Sequence, residues 1–159
     1  MIPAYRGAFD RRDGLSSTWP NESRRYSEYA VNWVQDVLRT VEYLDTRSDS
    51  DMNALTYYGV SWGGRRGAII PAVAPRFKAV VLVAAGFASG RAQPEVDQIN
   101  FITRVRQPVL MLNGRYDAIE PVETAQKPMF EHFGTPTADK KWVVFDERRW
   151  HGWIGTWVP

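Results

Sequence analysis

Large apolar side chains recur every three or four positions between residues 26 and 44. This spacing places them along one side of an α-helix and predicts an amphipathic helix that packs against a core. Asn21 or Ser23 can cap its first turn, because either side chain can accept a hydrogen bond from a free amide there. The apolar positions are Tyr26, Tyr29, Ala30, Trp33, Val34, Val37, Leu38, Val41 and Leu44.

Short apolar runs bounded by turn residues predict the strands of a sheet. The run 79–85 contains no polar residue, which is typical of a parallel strand covered on both faces. Helices are predicted after two of the runs, over residues 63–74 and 122–133. Strands that alternate with helices, without hairpin signals, favour a parallel sheet. The predicted strands cover residues 54–58, 78–85, 108–112 and 142–145.

The length and composition of the chain indicate one globular domain. The chain has 159 residues, of which 44% are apolar and 24% are charged, as in ordinary globular proteins. We therefore expect a single domain over residues 1–159. The expected fold class is α/β, a mostly parallel sheet of about five strands flanked by helices.

Charge and cysteine content argue against several classes of function. The net charge is +2 and the arginines occur as scattered pairs, whereas a nucleic-acid-binding protein concentrates basic residues on one face. The absence of cysteine excludes disulfides, thiolate catalysis and cysteine-ligated zinc. No apolar run approaches the roughly 20 residues that cross a bilayer, and the first residues lack the pattern of a signal peptide. We expect neither a nucleic-acid nor a membrane partner, and the compartment stays undecided, with the cytoplasm as the default.

The segment Gly59-Val60-Ser61-Trp62-Gly63 lies where a predicted strand ends and a predicted helix begins. A sharp turn of this kind presents a serine hydroxyl above the sheet and requires small neighbours, which Gly59 and Gly63 supply, while Gly64 adds further room. Ser61 is therefore the predicted nucleophile. The backbone amide of Trp62 would donate to the negative oxygen that develops during acyl transfer. The alternative is a glycine-rich turn that binds phosphate or only packs.

A nucleophilic serine needs a base and an acid. His151 follows the last predicted strand, where its side chain can reach the carboxyl edge of the sheet. His132 lies near the end of a predicted helix between two phenylalanines and is interpreted as structural. Asp117 follows the strand 108–112 and can orient and stabilise the imidazole of the base. Glu120, in the same loop, is the backup acid.

Three segments carry a family resemblance: YYGVSWGG (57–64), PVLMLNGRYD (108–117) and PVET (121–124). They resemble the α/β-hydrolases, closest to the branch of dienelactone hydrolases and prolyl-oligopeptidase-like esterases. The order serine, acid, histidine along the chain is also that of the family. The resemblance implies a truncated α/β-hydrolase core in which Ser61, Asp117 and His151 form a catalytic triad. No metal or organic cofactor is implied.

The chain also departs from the pattern of that family. Trp150 stands immediately before His151, where family members usually carry glycine, and the chain ends eight residues after that histidine. About three strands of the fold would normally precede residue 1, together with the loop that carries the second oxyanion amide. Tyr5 lies in the segment Tyr5-Arg6-Gly7, which resembles the loop after the fourth strand of the fold. It is the candidate substitute for that donor.

The missing strands have a consequence for assembly. They would leave the strand 54–58 with an unpaired edge, and such an edge is a template for pairing with another chain. We therefore expect a homo-oligomer formed through this edge, or a minimal core cut from a longer enzyme.

The expected activity is the hydrolysis of small carboxylic esters through an acyl-enzyme. The segment 86–107, between two predicted strands, is too short for a substantial lid, which favours an esterase over a lipase. One alternative is a peptidase of the prolyl-oligopeptidase type. The other is a non-catalytic hydrolase core that serves as a binding or assembly module.

Two further motifs are interpreted as structural. Arg65 and Arg66 are expected to be exposed to solvent on the helix after Ser61; the alternative is the mouth of the site, where they would favour acidic substrates. Residues 49–53 begin like a calcium-binding loop. However, Ala54 and Val60 occupy the positions of the required glycine and glutamate, so no metal site is expected.

Overall fold

The computed structural model describes residues 1–15 and 17–146. Four strands lie in this part of the chain: β1 (Thr56–Val60), β2 (Ala79–Val83), β3 (Val109–Gly114) and β4 (Lys140–Phe145). They form one parallel sheet in the order β1-β2-β3-β4, so each strand lies beside the next one in the chain. The predicted parallel α/β fold is confirmed. The prediction of about five strands is corrected to four among these residues, because the segments between the strands form helices and turns.

The longest helix, α1 (Arg24–Asp45), confirms the helix predicted from the apolar periodicity. Ser23 caps it, since its side-chain oxygen accepts a hydrogen bond from the amide of Tyr26 at 3.1 Å. Asn21 binds the capping residue itself, because its side-chain oxygen accepts a hydrogen bond from the amide of Ser23. The buried apolar side of the helix consists of Tyr26, Tyr29, Ala30, Trp33, Val37 and Val41.

The helices that follow the strands are short. α2 (Trp62–Arg66) and α3 (Ile70–Val73) replace the single helix predicted over 63–74. The division has a local cause: Pro71 has no amide hydrogen, and its ring would clash with the carbonyl four residues earlier in a continuous helix. No helix in the described part of the chain has the length and apolar character needed to cross a membrane. The remaining elements are α4 (Ile99–Ile102), a π-helical turn (Val122–Gln126), α5 (Lys127–His132), and 3₁₀ turns at Phe9–Arg11, Met52–Ala54, Pro94–Val96 and Thr137–Asp139.

One face of the sheet forms the main hydrophobic core. Alternate residues of the strands, such as Tyr57 and Leu82, are buried and pack in one cluster with Val41 of α1 and apolar residues of the short helices. On the opposite face, Tyr58 is 64% exposed and its register neighbour Val81 is half-buried. The apolar run of β2 is therefore covered more completely on the face of α1 than on the other.

The parallel arrangement determines where the predicted site residues lie. Because all four strands run in one direction, their carboxyl ends meet at one edge of the sheet. Ser61 follows β1 at this edge, and Asp117 and Glu120 lie in the loop after β3. Two segments that are far apart in the sequence are thus brought to the same edge.

Candidate active site

Ser61 occupies a strained turn between β1 and α2. Its φ is +50° and its ψ is −107°, a left-handed conformation that is rare for a residue other than glycine. Its amide donates to the carbonyl of Val83 at 2.8 Å, and its own carbonyl accepts from the amide of Arg65 at 2.9 Å. The serine is therefore held between the end of β2 and the first turn of α2. This is the geometry expected of a nucleophile at a strand-to-helix elbow.

The glycines around the elbow differ in how much space they leave. A Cβ atom on Gly59 would lie 2.6 Å from the carbonyl carbon of Gly63, and one on Gly64 would lie 2.8 Å from the Cβ of Ala85. Among the described residues, a Cβ atom on Gly63 would have no heavy atom within 4 Å apart from its chain neighbours and the backbone of its own helix. The motif predicts small neighbours at Gly59 and Gly63, with further room at Gly64. The structure supports this prediction for Gly59 but assigns the second close approach to Gly64, because Gly64 packs directly against the segment after β2.

Trp62 is the first residue of α2, and amides in the first turn of a helix have no acceptor within the helix. Its backbone amide thus lies next to Ser61, where the sequence predicts an oxyanion donor. Its indole ring makes edge-on contacts with Tyr5 and Trp33, each with 5.0 Å between ring centroids. These contacts fix the side chain of the residue that follows Ser61.

Tyr5 lies beside the elbow, although it is 56 positions before Ser61 in the chain. Burial and, to a smaller extent, the nearby carboxylate of Asp36 raise the pKa of Tyr5 to about 12, while Arg66 lowers it. The phenol is therefore neutral at physiological pH and retains a proton to donate. The structure brings Tyr5 into contact with Trp62, the residue whose amide is the other candidate donor.

Asp117 is buried in the loop after β3, with 5% of its surface exposed. Its Oδ1 accepts two backbone hydrogen bonds, from Ile119 at 2.9 Å and from Glu120 at 3.0 Å. Both amides bind the same oxygen of the carboxylate. The turn orients the carboxylate at the carboxyl edge of the sheet.

Glu120 forms a buried ion pair with Arg65. The distance from Nη1 of Arg65 to Oε1 of Glu120 is 2.8 Å, and the two side chains are 7% and 0% exposed. The ring of Trp19 covers the guanidinium group at 4.2 Å. Burial lowers the pKa of Arg65, while the charge of Glu120 and its hydrogen bond oppose this effect.

The sequence interpretation of Arg65 and Arg66 as solvent-exposed residues is wrong. As whole residues, Arg65 and Arg66 are 5% and 3% exposed, because α2 is covered by α1 and by the loops at the edge of the sheet. Arg66 donates to the hydroxyl of Tyr26 at 2.5 Å and packs against the rings of Trp33 and Trp62. Periodicity could not reveal this burial, since charged residues on a short helix have no pattern that separates buried from exposed positions.

One of the two histidines lies within the described residues and the other does not. His132 lies in α5, where its Nδ1 is 2.7 Å from the carbonyl oxygen of Pro128, a contact within the same helix. This agrees with its interpretation as a structural residue. His151, the predicted base, lies outside the described residues, as do the tryptophans that follow β4.

Several solved structures with a similar fold carry the names of hydrolases. A cold-adapted esterase from an Arctic intertidal metagenomic library is 17% identical, with a TM-score of 0.65 over 89% of this chain and 57% of its own. A protein from Klebsiella pneumoniae described as a dienelactone hydrolase is 23% identical, with a TM-score of 0.60 over 76% of this chain and 50% of its own. A protein from Bacteroides ovatus described as a dipeptidyl aminopeptidase IV is 14% identical, with a TM-score of 0.63 over 88% of this chain and 22% of its own.

The chain has the α/β-hydrolase fold over the part that these structures match. This confirms the fold that the resemblance of the three sequence segments implies. The chain spans between 50% and 57% of the length of the esterase and dienelactone hydrolase structures. No family model matches the chain, and no curated protein does either.

Proposed function

We propose that this chain carries the catalytic site of a serine hydrolase that cleaves small carboxylic esters. The observation that carries the proposal is the conformation of Ser61, which is strained between a buried strand and a helix in the position of a nucleophile. The esterase names of the solved structures with the same fold add support. Residues are assigned as Ser61 for the nucleophile, His151 for the base and Asp117 for the acid.

The proposed reaction proceeds through an acyl-enzyme. The Oγ of Ser61 attacks the carbonyl carbon of the ester, and its proton passes to His151. The amide of Trp62 donates to the carbonyl oxygen as it becomes negative, with the phenol of Tyr5 as the proposed second donor. The bond to the alcohol then breaks, and His151 returns the proton to the departing oxygen. Water repeats these steps on the acyl-enzyme and releases the carboxylic acid.

The contacts of the two acids favour Asp117 over Glu120 for the triad. An oxygen of Glu120 is engaged by Arg65 in a pair that is closed to water. The carboxylate of Asp117 is oriented by two backbone amides on one oxygen. An acid that orients an imidazole needs a carboxylate that is itself held in place, and the two backbone amides hold that of Asp117.

Labelling with a fluorophosphonate tests this proposal. We expect the full chain to be modified at Ser61, and we expect the Ser61→Ala variant to resist modification. A chain that is not modified would favour the alternative of a non-catalytic hydrolase core. This outcome would contradict the proposed activity.

Parallel assays separate an esterase from a peptidase of the prolyl-oligopeptidase type. We expect short p-nitrophenyl esters to be cleaved faster than prolyl amides of similar size. Between β2 and β3 the described chain contains only the turn Pro94–Val96 and the short helix α4, so this segment supplies no large cover over the site. A clear preference for the amides would replace the esterase assignment.

A further inference from the structure

Arg65 lies one helical turn after Ser61 and reaches across to the loop of the proposed acid. Its amide donates to the carbonyl of Ser61 at 2.9 Å, which places it on the same side of α2. Its guanidinium donates to Glu120 at 2.8 Å, and both side chains are almost fully closed to solvent. The two residues are 55 positions apart in the sequence. The ion pair therefore joins the helix of the nucleophile to the segment after β3.

Hydrogen bonds within the loop after β3 connect Glu120 to Asp117 and join the two ends of the loop. The amide of Glu120 donates to Oδ1 of Asp117 at 3.0 Å. The side-chain nitrogen of Gln126 donates to the carbonyls of Glu120 and Gly114, at 2.6 Å and 2.9 Å, so that it joins the two ends of the loop. A shift of Glu120 would therefore move the carboxylate of Asp117 with it.

Arg65 is also fixed from its other sides. The side-chain nitrogen of Gln98 donates to the carbonyl of Arg65 at 2.7 Å, and the side-chain oxygen of Gln98 accepts from the amide of Ala88. The ring of Trp19 covers the guanidinium. A Cβ atom on Gly86 would lie 2.6 Å from Oε2 of Glu120, so the carboxylate occupies space that only a glycine leaves open. Together these contacts hold the ion pair of Arg65 and Glu120 in one geometry.

We propose that Arg65 is a positioning residue, whose ion pair with Glu120 holds the loop of Asp117 in place relative to Ser61. This inference rests on the serine hydrolase function proposed above. The link passes through one helical turn, one ion pair and one backbone hydrogen bond. A charge-assisted hydrogen bond that is closed to water is strong and directional. An apolar pair of the same volume would stabilise the fold about as well, so the charged pair contributes chiefly orientation.

The test compares kcat and KM of full-length variants on a short p-nitrophenyl ester. Each rate is divided by the number of serines that react with a fluorophosphonate. For Arg65→Met we expect kcat per reactive serine to fall about 10²-fold, since a displacement of about 1 Å at a catalytic site has an effect of this size. KM should hardly change, because the buried guanidinium is not placed to touch the ester. Arg65→Lys should recover most of kcat, because it keeps a positive charge facing Glu120.

Arg66→Met is the matched control. Arg66 is as buried as Arg65 and lies on the same helix, but its guanidinium contacts Tyr26, Trp33 and Trp62. We expect this variant to lose thermal stability and to keep most of its kcat per reactive serine. The double variant Arg65→Met/Glu120→Gln leaves neither buried charge uncompensated, so it should fold even if Arg65→Met does not. Its kcat should still be about 10²-fold lower, because the link is absent.

Two results would overturn the proposed role of Arg65. One is an equal loss of kcat per reactive serine in Arg65→Met and Arg66→Met, which would show that lost stability explains the effect. The other is a wild-type kcat in the double variant. A wild-type chain that does not react with the fluorophosphonate is a different result, because it overturns the serine hydrolase function and this inference together.

Discussion

Gly59→Ala and Gly63→Ala are expected to have opposite effects, although both change a glycine of the same motif. A Cβ atom on Gly59 would lie 2.6 Å from the carbonyl carbon of Gly63 and 2.9 Å from Cε1 of Tyr57. The optimum separation of such atoms is roughly 3.5–4.0 Å, so the first contact is about 1 Å too short. The carbonyl of Gly63 is held by the hydroxyl of Tyr57, which donates to it at 2.7 Å. Neither neighbour can therefore move away easily.

The overlap should lower the free energy of unfolding of Gly59→Ala. Overpacking of a core costs about 1–3 kcal/mol, and a clash with fixed backbone belongs near the upper limit, about 3 kcal/mol. For a chain of this size that corresponds to a Tm about 6–12 °C lower. Outside its own helix, a Cβ atom on Gly63 meets no described residue within 4 Å, so we expect no such penalty for Gly63→Ala. Alanine is also a better helix former than glycine, and the gain is at most about 1 kcal/mol.

Thermal unfolding of the two variants, followed by circular dichroism, measures the difference. Fluorophosphonate labelling of the folded proteins then reports on Ser61. We expect Gly59→Ala to unfold at a lower temperature and to react more slowly, and Gly63→Ala to match or exceed the stability of the wild type. If Gly63→Ala were the more destabilised variant, the described geometry of the elbow would be refuted.

Three further predictions concern the acid, the oxyanion donor and the assembly. Asp117→Asn should lower kcat by about 10⁴-fold if this residue holds the imidazole in the correct tautomer. Steady-state kinetics of this variant and of Glu120→Gln check the assignment. An equal or larger loss of kcat in Glu120→Gln would make Glu120 the acid. Tyr5→Phe should lower kcat by about 10²–10³-fold if its phenol is the second oxyanion donor, and an unchanged kcat would remove it from the site. Because β1 is an edge strand of the described sheet, we also expect gel filtration at low concentration to show a homo-oligomer; a well-behaved monomer would contradict this.

Much of the fold could be predicted from short-range patterns. The apolar spacing before residue 45 predicts α1, and its cap at Ser23 follows from the residue type. The apolar runs identify the four strands of the described part of the chain, although the structure places β1 two residues later, at Thr56–Val60, extends β3 to Gly114 and begins β4 at Lys140. These predictions succeed because a helix or a strand depends mainly on residues a few positions apart. The prediction of one helix over 63–74 is wrong, since a new helix begins at Ile70 with Pro71 in its first turn.

The candidate site was predicted in part. The position of Ser61 at a strand-to-helix turn follows from the motif and its flanking residues, and the structure shows that turn. The family resemblance predicts Tyr5 near the site, whereas its contact with Trp62 is seen only in the structure. The assignment of His151 remains a prediction, because that residue lies outside the described part of the chain.

The sequence by itself determined which segments become helices and strands, and which serine stands at the sharp turn between them. The tertiary structure alone decided that Arg65 pairs with Glu120, that Arg66 lies among aromatic rings, and that Gly64 is the second tightly packed glycine of the elbow. The reason is the range of the interactions involved. Periodicity and turn chemistry act between neighbouring residues, whereas burial and pairing depend on side chains that only folding brings together.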